Sequence, residues 1–345
     1  MPFVFESIKA VTRPDYKVAV LGGGSWATAI VKILSSNLKY VYWWVREPEI
    51  VEGIRTLGHN PIYLNEAQLN SKRIRISNNM KHVVKKADLI VLVIPSAFIY
   101  DSLSVLPENA FEGKYVISAT KGLLQQPRLQ ISLFMHRYFG VPEERLGLIM
   151  GPSHAEEIAR ERLTYLTSAS CNPQLAEDVA NLFRNRYVVT TLSNDMRGIE
   201  TCVILKNIYA LAAGIFRGLG AGDNLLAVFN SNCFNEMVTI LQLLHPMEDR
   251  KYALSPYLGD FLVTTYSQYS RNRNFGIMVG KGYSVQTILM EMKMVAEGYS
   301  SVSSVYHFNQ EQLHADLPIL NTTYKILYEK APVRTSIHRL LDQLK

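Results

Sequence analysis

The sequence predicts an α/β chain in two parts, an N-terminal doubly wound sheet over residues 1–193 and an all-α part over residues 194–345. Three observations carry that prediction. Tyr16 to Ile30, YKVAVLGGGSWATAI, reads as a short apolar strand, a glycine-rich turn and the start of a helix. Leu89 to Ile94, LIVLVI, is a continuous apolar run ending at Pro95, the pattern of a strand covered on both faces. From Asn194 onward strand-like runs become rare, and long helical patterns replace them. A chain of 345 residues also exceeds one ordinary core, so two domains are expected.

Residues 1–15 read as a loose extension, and the first strand spans Lys17 to Leu21. Gly22, Gly24 and Ala27 then fit G-x-G-x-x-G/A. Gly22 allows a tight turn, Gly24 lets a pyrophosphate approach the backbone, and Ala27 allows close packing of helix on strand. The following helix, from Ser25 to about Ser36 with Asn37 as its stop, offers unpaired N–H groups and a partial positive charge to phosphates. This is a Rossmann-type dinucleotide signal with its strand and helix in place.

Tyr40 to Val45, YVYWWV, is the second strand. Arg46 and Glu47 follow it, where NAD-binding chains usually place an acid for the ribose 2′-OH. An arginine there accommodates a 2′-phosphate, which points to NADP as well as NAD; the plainer reading is a surface arginine paired with Glu47 or Glu49. Helical and loop segments are expected through Lys86. Tyr115 to Ala119 is a strand that delivers Thr120, Lys121 and Gly122 at its C-terminal end, where open parallel sheets bind ligands. Leu146 to Met150 runs into Gly151-Pro152-Ser153-His154-Ala155, with a helix starting there and Glu156 and Glu157 in its first turn. His154 reads as a polar loop histidine before it reads as a base. Strands near 163–169 and 187–192 flank a helix around 175–184 and complete the first part.

In the second part, Asp195 to Phe216 and Asn224 to Leu244 are long helix candidates, with shorter helices after them. Lys206 sits within VILKNIYALAAGI, as either a snorkelling side chain or a deliberately buried amine. Burial brings a lysine toward neutrality, where it can donate and accept a proton near pH 7. Asp260, opening DFLVTT, either holds that lysine or serves as a helix N-terminal acid. Ser270, Arg271 and Asn272 begin a polar, cationic loop whose arginine fork suits phosphate. Met290 to Met294 reads as core filler, and Glu297-Gly298 as the close of that helix, with glycine as its C-cap. The cleft between the two parts is the default place for chemistry.

Composition narrows the class. Hydrophobic content of 48% and charged content of 19% describe a globular protein. No uninterrupted apolar run reaches the ~18–20 residues of a membrane span, and the N-terminus lacks a signal-peptide layout. Cys171, Cys202 and Cys233 are odd in number and widely spaced, which argues against disulfides and a zinc motif and for a reducing cytoplasm; each reads as a small buried hydrophobe. The net charge of +6 is dispersed rather than gathered into a nucleic-acid surface, and suits an anionic small molecule.

These segments together resemble the NAD(P)-dependent glycerol-3-phosphate dehydrogenases of bacterial type. The resemblance rests on GGGSWATA (22–29), HNPIYL (59–64), VIPS (93–96), KG (121–122), GPSHAEE (151–157), DMRGIETCVILKNIYALAAGI (195–215), GDFLVTT (259–265), SRNRNFG (270–276) and VAEG (295–298), in the family's order from about residue 16 to 335. It implies reduction of dihydroxyacetone phosphate to sn-glycerol 3-phosphate, and the reverse, for glycerophospholipid synthesis. It implies Lys206 as general acid/base at the C2 oxygen, Lys121 orienting substrate and cofactor, and Asp260 supporting the lysine. Gly151 and Ser153 would line the substrate, and Ser270, Arg271 and Asn272 its phosphate. On the cofactor side it points to Ser25, Trp26, Arg46, Lys121, Ala155, Arg271, Val295 and Glu297. A cytoplasmic homodimer without a metal is the family's common form. Departures are Ala27 in a glycine position, Asn232 in an arginine position, and SPYLGD (255–260) in place of a glycine-rich segment. A related dehydrogenase for another 2-oxo or sugar-derived acid, and a non-catalytic dinucleotide sensor, are the alternative readings.

Overall fold

A computed structural model describes residues 14–125, 127–292 and 296–345. Contacts divide the chain into two units. The first holds the residues up to Thr120 together with Leu129–Met196, and the second holds Lys121–Arg128 together with Arg197–Lys345. The short segment after Thr120 therefore groups with the C-terminal helices, not with the strand that precedes it.

The first unit is built on eight strands, β1 (Val18–Leu21), β2 (Val41–Trp44), β3 (Ile74–Ser77), β4 (Leu89–Leu92), β5 (Tyr115–Ser118), β6 (Leu146–Met150), β7 (Thr164–Ala169) and β8 (Val188–Ser193). Their order is β3-β2-β1-β4-β5-β6-β7-β8. The pairings among β1 to β6 are all parallel, β7 is antiparallel to β6, and β8 is parallel to β7. The chain winds outward from β1 to β3, then returns to place β4 beside β1, so the topological switch point lies between β1 and β4. Every residue of β1, β4 and β6 is buried, as continuous apolar strands between helical layers require. The helices are α1 (Ser25–Asn37), α2 (Pro48–Leu57), α3 (Met80–Lys86), α4 (Ser96–Leu103), α5 (Ile131–Phe139), α6 (Ala155–Ala159) and α7 (Pro173–Phe183).

β3 was not expected, since only helix and loop were read before Lys86. Its four residues, IRIS, bury only Ile74 and Ile76 at one edge of the sheet, and such a short alternation carries little signal. Cys171 also departs from expectation: it is exposed, whereas Cys202 and Cys233 are buried.

The second unit contains α8 (Met196–Gly218), α9 (Asp223–Leu244), α10 (Asp260–Tyr266), α11 (Arg271–Gly280), α12 (Val285–Glu291), α13 (Glu297–Phe308), α14 (Pro318–Tyr328) and α15 (Val333–Leu341). By length and composition α8 could cross a membrane, yet its apolar window is 100% buried, the mark of a core helix. Two glycine pairs bring α8 against α11. A Cβ on Gly276 would lie 1.9 Å from the Leu211 carbonyl oxygen, and one on Gly214 would lie 2.1 Å from that of Arg273. Gly218 and Gly280 repeat the contact one turn along, with the Cα of each 2.9 Å from the other's Cβ position. Gly298 overturns the C-cap reading. It is the second residue of α13, and a Cβ there would lie 2.4 Å from the carbonyl oxygen of Asn207 on α8. Of the stretch read as core filler, Met290 is 86% exposed on α12, against that reading, while Met294 lies outside the described residues.

Glu236, on α9, is buried and caps a neighbouring helix. Its Oε1 accepts from Ile319 N at 2.6 Å, and its Oε2 accepts from Leu320 N at 3.2 Å and from Tyr209 Oη at 3.2 Å. Burial pushes its carboxyl from 4.5 up to about 7, against the three hydrogen bonds and with help from Asp316. Between those values the folded chain holds the proton more tightly than the unfolded chain. Stability from this residue is therefore greatest below about pH 4.5 and falls until about pH 7, by roughly 3 kcal/mol. Urea unfolding of the wild type and Glu236→Gln at several pH values checks this. The difference between the two curves is expected to slope across that window, and parallel curves would remove the role of the carboxyl.

Candidate active site

The glycine turn between β1 and α1 is fixed by sterics and by hydrogen bonds to β2. Gly22 has φ +136°, and a Cβ there would lie 2.5 Å from the Val93 carbonyl oxygen, so the backbone just after β4 approaches too closely for any side chain. Gly22 N donates to Trp44 O at 3.1 Å, and Trp43 Nε1 donates to Gly22 O at 2.7 Å. A Cβ on Gly24 would meet nothing within 4 Å, so the helix N-terminus presents bare backbone to open space. Such a cradle fits a pyrophosphate. Ala27 is fully buried in the α1 face that packs on the sheet.

Asn60 was not singled out from the sequence beyond its place in HNPIYL. It is fully buried, and its amide donates to Gly23 O at 2.9 Å and to Thr28 Oγ1 at 2.9 Å. Its Oδ1 accepts from Ile62 N and Tyr63 N. One amide thus ties the glycine turn, α1 and the loop after α2 together, and only the tertiary fold brings those segments into reach.

Other first-unit candidates lie at strand ends. Ser25 is the buried first residue of α1, and Trp26 Nε1 donates to Ala119 O at 3.0 Å, just beyond β5. Gly151 follows β6 with φ +134°, and Ser153 Oγ donates to its carbonyl at 2.8 Å. Ala155 opens α6, with half-buried His154 as the residue before it. Beyond β2, Arg46 binds Glu47 through Nε at 2.9 Å and Nη2 at 2.6 Å, both to Oε1, so the plainer pairing is the one formed.

In the second unit α8, α10 and α11 bring four candidates together. Lys206 Nζ forms an ion pair with Asp260 Oδ1, their side chains 4% and 1% exposed. Asp260 begins α10 but continues directly from a π-helical turn over Ser255–Gly259, so it does not stand at a free helix start, and of the two roles read for it the structure shows the contact with the lysine. Its Oδ2 is buried without a hydrogen-bond partner among the described residues, which leaves an acceptor for a ligand. Asn207 Nδ2 donates to the Lys121 backbone carbonyl at 2.6 Å, anchoring that segment on α8. Lys121 is half-buried, and its amine is lowered to about 7. Desolvation is the main cause, followed by repulsion from Lys206; Asp260 opposes the shift and Arg271 adds to it.

Arg271 is the half-buried first residue of α11, and Ser270 is its N-cap, with Oγ accepting from Arg273 N at 3.3 Å. Asn272 is buried and accepts from Gly298 N at 2.9 Å, which joins the starts of α11 and α13. Glu297 opens α13, while Val295 lies outside the described residues. Three cations around one carboxylate give a cluster matched to an anion. Asn232, the departure on α9, binds the backbone N and O of Lys345 at 3.0 and 2.8 Å. Among the described residues no group of three or more His, Cys, Asp or Glu is placed to hold a metal.

Comparison with known proteins covers both units. Residues 17–176 match the family model for the NAD-dependent glycerol-3-phosphate dehydrogenase N-terminus, and residues 195–338 match that for its C-terminus. A glycerol-3-phosphate dehydrogenase [NAD(P)+] of Enterococcus faecalis is 34% identical over 94% of this chain and 95% of its own length. One from Staphylococcus carnosus is 31% identical over 95% and 98%. The crystal structure of a glycerol-3-phosphate dehydrogenase from Coxiella burnetii superposes with a TM-score of 0.87, at 25% identity, over 94% of this chain and 98% of that one.

Proposed function

Because this chain belongs to the NAD-dependent glycerol-3-phosphate dehydrogenase family, we propose that its two lysines, its buried aspartate and its α11 arginine convert dihydroxyacetone phosphate to sn-glycerol 3-phosphate, and the reverse. The chain is an NAD(P)-dependent oxidoreductase acting on a CH–OH group. The bound nicotinamide supplies a hydride in one direction and takes it up in the other. The glycine turn, with Ser25, Trp26 and Ala155, would hold this cofactor; Arg271, Glu297 and Val295 are further candidates for it.

Lys206 is assigned the proton. In ketone reduction its ammonium gives a proton to the C2 oxygen as that oxygen becomes an alkoxide; in alcohol oxidation its amine takes the proton back. Asp260 holds Nζ in place through the ion pair. Lys121 orients the substrate through its amine, and Ser270, Arg271 and Asn272 take the phosphate. Gly151 and Ser153 complete the substrate contacts. The buried Lys206–Asp260 pair is the observation that carries this reading, because taking two charges out of water is costly and such pairs cluster at functional sites. A cytoplasmic homodimer that feeds glycerophospholipid synthesis goes with the proposal.

The test is nicotinamide oxidation followed by absorbance, with dihydroxyacetone phosphate and either NADH or NADPH. Turnover is expected with at least one cofactor, and dependence on the substrate phosphate is expected to be strong. No turnover with either, or equal turnover of the unphosphorylated ketone, would overturn the substrate assignment.

A further inference from the structure

We propose that Tyr328, on α14, is a positioning residue: through Tyr299 and Gly298 it sets how Asn272 meets the substrate phosphate. The inference rests on the phosphate assignment made above for Asn272, and it extends that assignment to a helix with no part in the chemistry. Asn272 serves an anion only through Nδ2, since its amide oxygen accepts and does not donate. Gly298 decides which end is free to do so. A backbone N–H can only donate, and that of Gly298 meets Asn272 Oδ1 at 2.9 Å, so the remaining end of the amide is the donor Nδ2. Gly298 also lies tightly against its neighbours. A Cβ on it would sit 2.4 Å from the Asn207 carbonyl oxygen on α8 and 2.9 Å from Asn272 Oδ1.

The next residue, Tyr299, ties this first turn of α13 to two other helices. Its ring stacks on Phe275 of α11 at 5.4 Å and 25°, and on Tyr328 of α14 at 4.9 Å and 12°. Phe275 is fully buried and lies one turn beyond Asn272 on the same helix. Tyr328 Oη also donates to the Tyr299 carbonyl oxygen at 2.7 Å, so Tyr328 grips Tyr299 by ring and by backbone. Burial pushes the Tyr328 hydroxyl above its ordinary value, which keeps it a donor.

Tyr328 is itself held. Tyr324, one turn earlier on α14, stacks on it at 5.2 Å and 16°, and on Tyr306 of α13 at 3.7 Å and 4°. Phe275, Tyr299, Tyr328, Tyr324 and Tyr306 thus form one continuous stack across α11, α13 and α14. Tyr324 and Tyr328 are four residues apart, and Tyr299 and Tyr306 seven apart, so each pair shares a helix face. Without the Tyr328 ring and hydroxyl, the start of α13 loses its hold on α14. Gly298 N then drifts from Oδ1, and the Asn272 amide is free to turn its oxygen toward the phosphate. The Lys206–Asp260 pair lies on α8 and α10, outside this chain of contacts, so substrate affinity is the quantity affected.

Steady-state kinetics with dihydroxyacetone phosphate at saturating cofactor, on wild type, Asn272→Ala, Tyr328→Leu and the double variant, tests this as a cycle. Tyr328→Leu is expected to raise KM about tenfold and to lower kcat by no more than about threefold. In the Asn272→Ala background the same change is expected to raise KM by less than about twofold, because the group it acts through is gone. A KM within twofold of wild type in Tyr328→Leu would overturn the role given to Tyr328. So would a rise of equal size in both backgrounds, which marks a residue that serves the fold alone. If Tyr328→Leu does not fold, Tyr328→Phe, which keeps the ring and loses the hydroxyl, carries the same cycle. Its expected rise is about threefold, and no rise, or an equal rise in both backgrounds, overturns the proposal. Asn272→Ala with an unchanged KM would overturn the phosphate assignment itself, and this inference with it.

Discussion

Replacing Gly276 with alanine is expected to cost about 3 kcal/mol and to lower the thermal midpoint by about 10 °C, although the change adds a single methyl group. The reason is geometric. A Cβ has no rotamer to escape into, and at Gly276 it would sit 1.9 Å from the Leu211 carbonyl oxygen and 2.9 Å from the Gly214 Cα. α11 must then lift away from α8. The displaced helix begins with Arg271 and Asn272, and α8 carries Lys206 and Asn207. A shift of about an ångström between them also loosens the Asn272–Gly298 bond, so kcat/KM is expected to fall on the order of 100-fold. Gly222→Ala is the matched control. Its φ is −76° and its Cβ would meet nothing within 4 Å, so both quantities are expected to stay near wild type. Thermal unfolding and steady-state kinetics on the two variants check the contrast. A Gly276→Ala protein as stable and active as the control would show that the two helices do not need their close crossing.

That crossing illustrates which parts of the molecule the sequence disclosed. The glycine turn was legible because its signal is local: strand, glycines and helix are consecutive, and each glycine has a separate steric or electrostatic reason. The burial of Lys206 was legible as one of two readings because the lysine lies inside an apolar helical run. The glycines of α8 and α11 recur at spacing four in both helices, at 214 and 218 and at 276 and 280, but a single chain does not reveal that the two stripes face each other. Gly298 was misread for the same reason. Its lack of a side chain serves a close approach to Asn207 rather than a helix end. Asn60 and Glu236 escaped notice because their partners lie far off in sequence. Asn60 reaches Gly23 and Thr28, and Glu236 reaches Tyr209, Ile319 and Leu320. Lys121 was placed correctly after β5, yet only the fold shows that its segment groups with the helices of the second unit.

Lys206→Met and Asp260→Asn are each expected to lower kcat by 10²- to 10⁴-fold and to cost about 3–5 kcal/mol of stability. The two effects have different origins, and a third variant separates them. Removing Lys206 strands the Asp260 carboxylate, 1% exposed, without a counter-charge; removing the Asp260 charge strands the Lys206 ammonium, 4% exposed. Each single change pays for an uncompensated buried ion. The double variant Lys206→Met/Asp260→Leu removes both ions together, and buried pairs replaced by apolar side chains are often neutral in stability. Its stability is therefore expected to return to within about 2 kcal/mol of wild type while kcat stays as low as in Lys206→Met. Denaturant midpoints and kcat across the three proteins distinguish the cases. If activity recovers along with stability, the pair is a structural element and the proton comes from elsewhere.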